Sequence, residues 1–113
     1  MCYHDEQMER GAPTYAPERV RHLASNVATR AITITAENDC YALNLTLEDV
    51  WQALCDLDEP RCRFHKTMRS NDRSTDIFDV YHVQCGRVVV YLKLRIKTLR
   101  SGEEVVVVSF KEK

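Results

Sequence analysis

Two textures of hydrophobic patterning meet near Arg61. Before it, apolar residues recur with a helical period; after it, they alternate in short runs separated by turn residues. Val20, Leu23, Ala24 and Val27 stand at i, i+3, i+4 and i+7. Pro17 and Glu18 ahead of them suit a first helical turn, and Asn26 is the expected stop. Ala31–Thr35 alternates with β-branched residues and reads as a strand, or as an extended entry to the next helix. Thr35 is then the expected cap of a brief helix through Cys40–Leu43, closed by Asn44. Thr46–Asp49 resembles a capping box, with Asp in place of the usual Glu or Gln. Val50, Trp51, Leu54 and Leu57 follow along one helical face, and Pro60 is expected to end that helix.

Beyond Arg61 the alternation predicts four strands, over Arg61–Met68, Asp76–Val83, Val88–Thr98 and Glu104–Lys111. The connections Arg69–Thr75, Gln84–Arg87 and Arg100–Glu103 are short and turn-rich, so the strands should be antiparallel neighbours in a meander. Helices first and strands afterwards predict an α+β fold, with N-terminal helices packed on one face of a C-terminal antiparallel sheet. The chain has 113 residues, enough for a single domain spanning 1–113, and its polar first stretch, 1–13, is expected to be a loose leader.

Period two assigns side chains to faces. On the third strand Val88, Val90, Leu92, Leu94 and Ile96 point one way, towards the helices. Val89, Tyr91, Lys93, Arg95 and Lys97 point the other way. On the last strand Val106, Val108 and Phe110 form the apolar set, which places Lys111 opposite Phe110 and on the face of Tyr91. Two readings fit this outward face. It is the wet side that antiparallel sheets commonly keep, or it is a nucleic-acid surface in which cations follow phosphates and Tyr91 stacks on a base. His65 and Lys66 add an acid/base candidate and a further cation if the sheet order brings them near. Tyr81 and Trp51 read as core or rim packing.

Charge sharpens that choice only when the chain is divided. The net charge is −1, yet residues 1–60 carry 4 Lys and Arg against 11 Asp and Glu, a net of −7. Residues 61–113 carry 12 against 6, a net of +6. The basic half can attract a phosphate backbone or an acidic partner, or pair its charges with the acidic half. Five cysteines, Cys2, Cys40, Cys55, Cys62 and Cys85, are an odd number with no CxxC spacing. They read as small buried hydrophobes in a reducing compartment rather than as disulfides or metal ligands. No cofactor or metal is expected. With no apolar run near the roughly 20 residues that span a bilayer and no secretory signal, a cytoplasmic protein without a membrane partner is expected.

Four short motifs bear a resemblance. Val90-Tyr91-Leu92-Lys93, followed by the terminal Val108-Ser109-Phe110-Lys111-Glu112-Lys113, resembles the C-terminus of the MqsR (motility quorum-sensing regulator) toxins of type II toxin–antitoxin systems. Phe64-His65-Lys66-Thr67-Met68 is similar to that family's Phe-Tyr-Lys-Ser-Met stretch, and Asp79-Val80-Tyr81 matches its Asp-Val-Tyr. The likeness covers roughly 61–113. It implies a RelE-like fold and a sequence-selective, ribosome-independent endoribonuclease that cuts messenger RNA at GC-beginning triplets. It also implies a cognate antitoxin with a zinc-binding N-terminal part and a helix-turn-helix C-terminal part, so that DNA is met only through the antitoxin. The family's two lysines and its tyrosine fall on Lys66, Lys111 and Tyr91. Its glutamine position is occupied by Phe78, and its tyrosine before the first lysine by His65.

These residue types suit RNA cleavage without a metal. RNA carries its own nucleophile, the 2′-OH beside the scissile phosphate. An enzyme must align it, take its proton, offset charge on the phosphorane and protonate the leaving 5′-oxygen. Lys66 and Lys111 are expected to stabilise the added charge. A lysine depressed by neighbouring cations can serve as base. Tyr91 can orient a phosphate or deliver a proton, and His65 can share the acid/base work. Lys93, Arg95 and Arg87 are expected to follow the RNA backbone. The alternative is a catalytically weak or inactive toxin-fold protein that binds RNA or the antitoxin; Phe78 in the glutamine position favours it.

Overall fold

The structure, a computed structural model, describes residues 7–8, 11–70 and 75–113. Its helices are α1 (Pro17–Ala24), α2 (Ile34–Ala42) and α3 (Leu47–Cys55). Its strands are β1 (Gln7–Met8), β2 (Arg30–Ile32), β3 (Cys62–Arg69), β4 (Ile77–Cys85), β5 (Val88–Leu99) and β6 (Gly102–Glu112). They form one sheet in the order β1-β3-β4-β5-β6-β2. β3 to β6 are the expected antiparallel meander; β1 adds antiparallel to β3, and β2 runs parallel to β6. Helices on one face of this sheet make the fold α+β. Among the described residues no helix is long and apolar enough to cross a membrane.

Local chemistry sets the helix ends. Pro17 opens α1, whose Val20, Leu23 and Ala24 are buried. The helix stops at Ala24, sooner than the spacing to Val27 predicts, and the Ser25 hydroxyl donates back to the Arg21 carbonyl at 2.7 Å. Asn26 does not end α1. It caps a 3₁₀ turn over Val27–Thr29 by accepting the Ala28 N–H at 2.9 Å, which leaves Val27 exposed. Thr33 rather than Thr35 caps α2, accepting the Ala36 N–H at 3.1 Å. Only Arg30–Ile32 of the alternating segment therefore joins the sheet, and Ile34 stands exposed in the first turn of α2.

Asn44 closes α2 as expected. It takes a left-handed φ of 62°, and its N–H and that of Leu45 donate to the carbonyls of Tyr41 and Cys40. The capping box of α3 has both arms: Thr46 Oγ1 accepts the Asp49 N–H at 3.3 Å, and Asp49 Oδ2 accepts the Thr46 N–H at 2.7 Å. α3 ends at Cys55, well before Pro60, with Asp56 at its C-cap.

The helices meet the sheet over one apolar core, in which Val20, Val50, Leu54, Leu92, Leu94 and Phe110 are fully buried. Burial of each such side chain contributes about 1.5–3 kcal/mol. Tyr81 lies in this core, and Trp51 packs at its edge under the Arg30 guanidinium, 4.8 Å from the ring centroid. Cys40, Cys62 and Cys85 are buried thiols; burial pushes Cys40 and Cys62 up to about 11. The segment entering α1 is fastened by the buried Asp79, which accepts the N–H groups of Thr14 and Tyr15 at 3.0 and 2.8 Å and the Thr67 hydroxyl at 2.8 Å. Of the stretch read as a loose leader, Gln7–Met8 pairs with Met68 and Thr67, while 1–6 and 9–10 lie outside the described residues. So does 71–74 of the polar loop.

Candidate nucleic-acid interface on the open face of the sheet

The face of the sheet turned away from the helices is assembled by two β-bulges. In β3, Phe64 pairs with Tyr81 but Lys66 pairs with Val80, so His65 is the extra residue. Phe64 thus packs on the core while Lys66, two residues on, lies on the open face. Strict alternation would have kept them on one side. In β6, Ser109 pairs with Lys93 and Val107 with Leu94, so Val108 is extra. This corrects the expected apolar set of the last strand. Val105, Val107 and Phe110 are buried in the core, while Val106 and Val108 are only half-buried. The bulge restores Phe110 to the core side and keeps Lys111 opposite it. On β5 period two holds throughout, with Val90, Leu92, Leu94 and Ile96 all buried.

Two rows of side chains consequently cross the open face. One is Arg63–His82–Tyr91–Lys111, and the next is Lys66–Val80–Lys93–Ser109. Strands lie about 4.8 Å apart and alternate residues about 7 Å apart, so neighbouring members are within side-chain reach. Val80, fully buried, forms the floor between Lys66 and Lys93. The Lys93 ammonium sits 4.7 Å over the Phe78 ring, and Lys111 Nζ lies 5.5 Å from the Tyr91 ring centroid. The Tyr91 hydroxyl reaches the Met68 sulfur at 3.6 Å. His65, pushed out by its bulge, stacks on His82 with centroids 4.3 Å apart and planes at 27°.

The electrostatics follow from this crowding. Burial lowers the Lys93 pKa, and the nearby charges of Lys111 and Lys66 lower it further, so its ammonium is a readier proton donor than an ordinary lysine. Burial raises the Tyr91 pKa and keeps the phenol protonated at neutral pH. The His82 pKa is lowered by burial and then by His65, Lys113, Arg63 and Lys66, all of them cations or potential cations. The face is therefore a positive field with no acid in its middle rows, suited to an anionic ligand.

The structure thus brings Lys66, Tyr91, Lys111, His65 and Lys93 together. Arg95 follows on the same strand face, but its guanidinium is paired with Asp76 at 2.8 Å. Arg87 is not brought to the cluster. It occupies the exposed β4–β5 turn, four residues from Tyr91, or about 13 Å along the strand. Sequence reasoning placed Lys93 as a backbone contact, whereas it stands at the centre of the cationic group. It missed His82 altogether, although alternation from the core residue Tyr81 puts His82 on the open face. Among the described residues no three His, Cys, Asp or Glu side chains are grouped as a metal ion would need.

Neither a search among curated proteins nor one among solved structures gives a match. The family model described as "motility quorum-sensing regulator, toxin of MqsA" matches residues 12–112, from the segment ahead of α1 to the end of β6. That span takes in both rows of the open face, and the chain accordingly belongs to the motility quorum-sensing regulator toxins, the toxin half of a toxin–antitoxin pair.

Proposed function

We propose that this toxin is a metal-independent, sequence-selective endoribonuclease that cuts messenger RNA in the cytoplasm and is restrained by its antitoxin. The observation that carries this reading is the convergence of Lys66, Lys93, Lys111 and Tyr91 on one open sheet face. By family resemblance, the antitoxin has a zinc-binding N-terminal part and a helix-turn-helix C-terminal part, and the cut falls at GC-type triplets.

The scissile phosphate sits among the three lysines, above Val80. Lys93 takes the 2′-OH proton through its neutral form, whose population at neutral pH is enlarged by its lowered pKa. The 2′-oxygen forms its bond to phosphorus while the bond to the 5′-oxygen breaks. Lys66 and Lys111 hold the added negative charge of the phosphorane. The Tyr91 phenol donates its proton to the departing 5′-oxygen, while His65, stacked on His82 beside the cluster, holds substrate rather than moving a proton. The products are a 2′,3′-cyclic phosphate and a 5′-hydroxyl.

A second reading is a binding module without turnover. It is favoured by Phe78, whose ring offers Lys93 a π face where the family's glutamine offers a carboxamide. Induction in growing cells, with primer extension on abundant transcripts, separates the two. The nuclease reading expects growth arrest and new discrete 5′ ends, both abolished by Lys66→Ala or Lys111→Ala. Normal growth and intact transcripts beside retained antitoxin binding support the module.

A further inference from the structure

Beside the lysine cluster lies a concavity of about 470 Å³, whose wall includes Arg61, Arg63, His65, His82, Gln84 and Lys113. None of its members is among the three positions that carry the family resemblance to a catalytic site. We infer that this concavity is a second nucleotide subsite, in which the stacked His65–His82 pair supports an unpaired base and Arg63 and Lys113 hold its phosphate. The inference rests on the nuclease reading and extends it by one nucleotide along the strand.

Three observations carry it. The concavity is continuous with the cluster, because His82 pairs directly with Tyr91 across β4 and β5 and their ring centroids are 6.3 Å apart. A strand of RNA that has a phosphate at Tyr91 and Lys111 and runs across the β-strands passes next over His82. Next, the imidazole stack is a flat aromatic platform with His65 exposed, the form of support that unpaired bases use whatever their identity. Finally, the charges around His82 are Arg63, His65 and Lys66 from β3 and Lys113 from the chain end beyond β6, with no carboxylate among them. Arg61 is held by Asp56 at 3.0 Å and is part of the wall rather than a phosphate ligand. Gln84 is fixed by donating through Nε2 to the Gly86 carbonyl at 2.7 Å, which places a carboxamide where a base edge can be read.

Two readouts test this on the full chain: Kd for a fluorescein-labelled, fully 2′-O-methyl ten-nucleotide RNA of mixed sequence, and kcat and KM for cleavage of a messenger RNA. The variants are Arg63→Gln and His65→Ala, both at exposed positions, with Arg100→Gln in the β5–β6 turn as control. We expect Arg63→Gln and His65→Ala each to weaken binding and raise KM about tenfold with kcat within about twofold. Arg63→Gln should also reduce the slope of log Kd against log salt by about 0.7, as loss of one single-strand phosphate contact does. Arg100→Gln should behave as wild type. Wild type that cuts RNA, with both variants equal to it in Kd and KM, overturns the subsite and leaves the nuclease reading standing. A fall in kcat at constant KM also overturns it, since the two residues then act in the chemistry. Wild type that binds with this dependence but cuts nothing sustains the subsite and overturns the nuclease reading. Neither binding nor cutting overturns both.

Discussion

Tyr91 and Lys111 are cross-strand partners on β5 and β6, and the lysine ammonium lies 5.5 Å from the centre of the phenol ring. The pair places a proton donor and a fixed cation at one spot on the open face. Tyr91→Phe keeps the ring and removes only the hydroxyl. It should lower kcat by about 100-fold, the usual loss when a general acid is removed, and leave KM nearly unchanged. Single-turnover cleavage checks this. A Tyr91→Phe protein with wild-type kcat would assign the proton transfer elsewhere.

Lys93 should titrate below the ordinary lysine range. It is half-buried against Phe78 and flanked by two like charges, so its conjugate acid is destabilised. An NMR titration of the Lys93 Cε resonance should show it losing its proton at lower pH than an ordinary lysine. Lys66→Ala or Lys111→Ala should each shift it back upward. If Lys93 acts as the base, kcat rises with pH through this same pKa, and Lys93→Ala removes that limb of the profile.

His82 makes stability depend on pH in a definite sense. Its folded pKa lies below its ordinary value of 6.5, so between the two the unfolded chain binds more protons. The contribution is fully present above about 6.5 and is lost as pH falls through the folded pKa. Melting curves at pH 7.5 and 5.5 should therefore show a larger drop for wild type than for His82→Gln. An equal drop in both would contradict the stated environment of the ring.

Asp79 and Tyr81 should respond to mutation in opposite ways. Asp79 accepts three hydrogen bonds that join β3, β4 and the segment before α1. Asp79→Ala leaves those donors unpaired and should cost about 3 kcal/mol in denaturant unfolding. The Tyr81 hydroxyl is buried without a hydrogen-bond partner among the described residues. Tyr81→Phe should consequently be neutral or stabilising by up to about 1 kcal/mol.

Much of this was readable where one residue sets one feature. Thr46 and Asp49 announce a capping box, Asn44 a left-handed stop, and the run from Val88 to Ile96 a strand with one face for the core. The same alternation put Tyr91 and Lys93 on one face, and it placed Lys111 there because Phe110 lies opposite. The bulges at His65 and Val108 were not readable. An extra residue leaves no mark in composition, and Val105 to Val108 are four valines among which chemistry cannot choose a phase. Thr33 and Thr35 are equally good caps by type, and only the pairing of Arg30–Ile32 with β6 decides between them. Asp79-Val80-Tyr81 was legible as a resemblance, yet its three residues do structural work: one fastens the α1 entry, one floors the lysine cluster and one fills the core. The convergence of Lys66 with Lys93 follows from β3 and β5 flanking β4, as the expected meander has them, combined with the bulge at His65 that turns Lys66 onto the open face.

The most direct measurement incubates purified, antitoxin-free protein with a defined messenger RNA in EDTA and maps the new ends, with folded Lys66→Ala and Lys111→Ala proteins alongside. Discrete 5′-hydroxyl ends that vanish in both variants are the expected result, and the flanking bases then give the preferred triplet. RNA that stays intact across many substrates, or cutting that survives both substitutions, would contradict the assignment of RNA cleavage to this face.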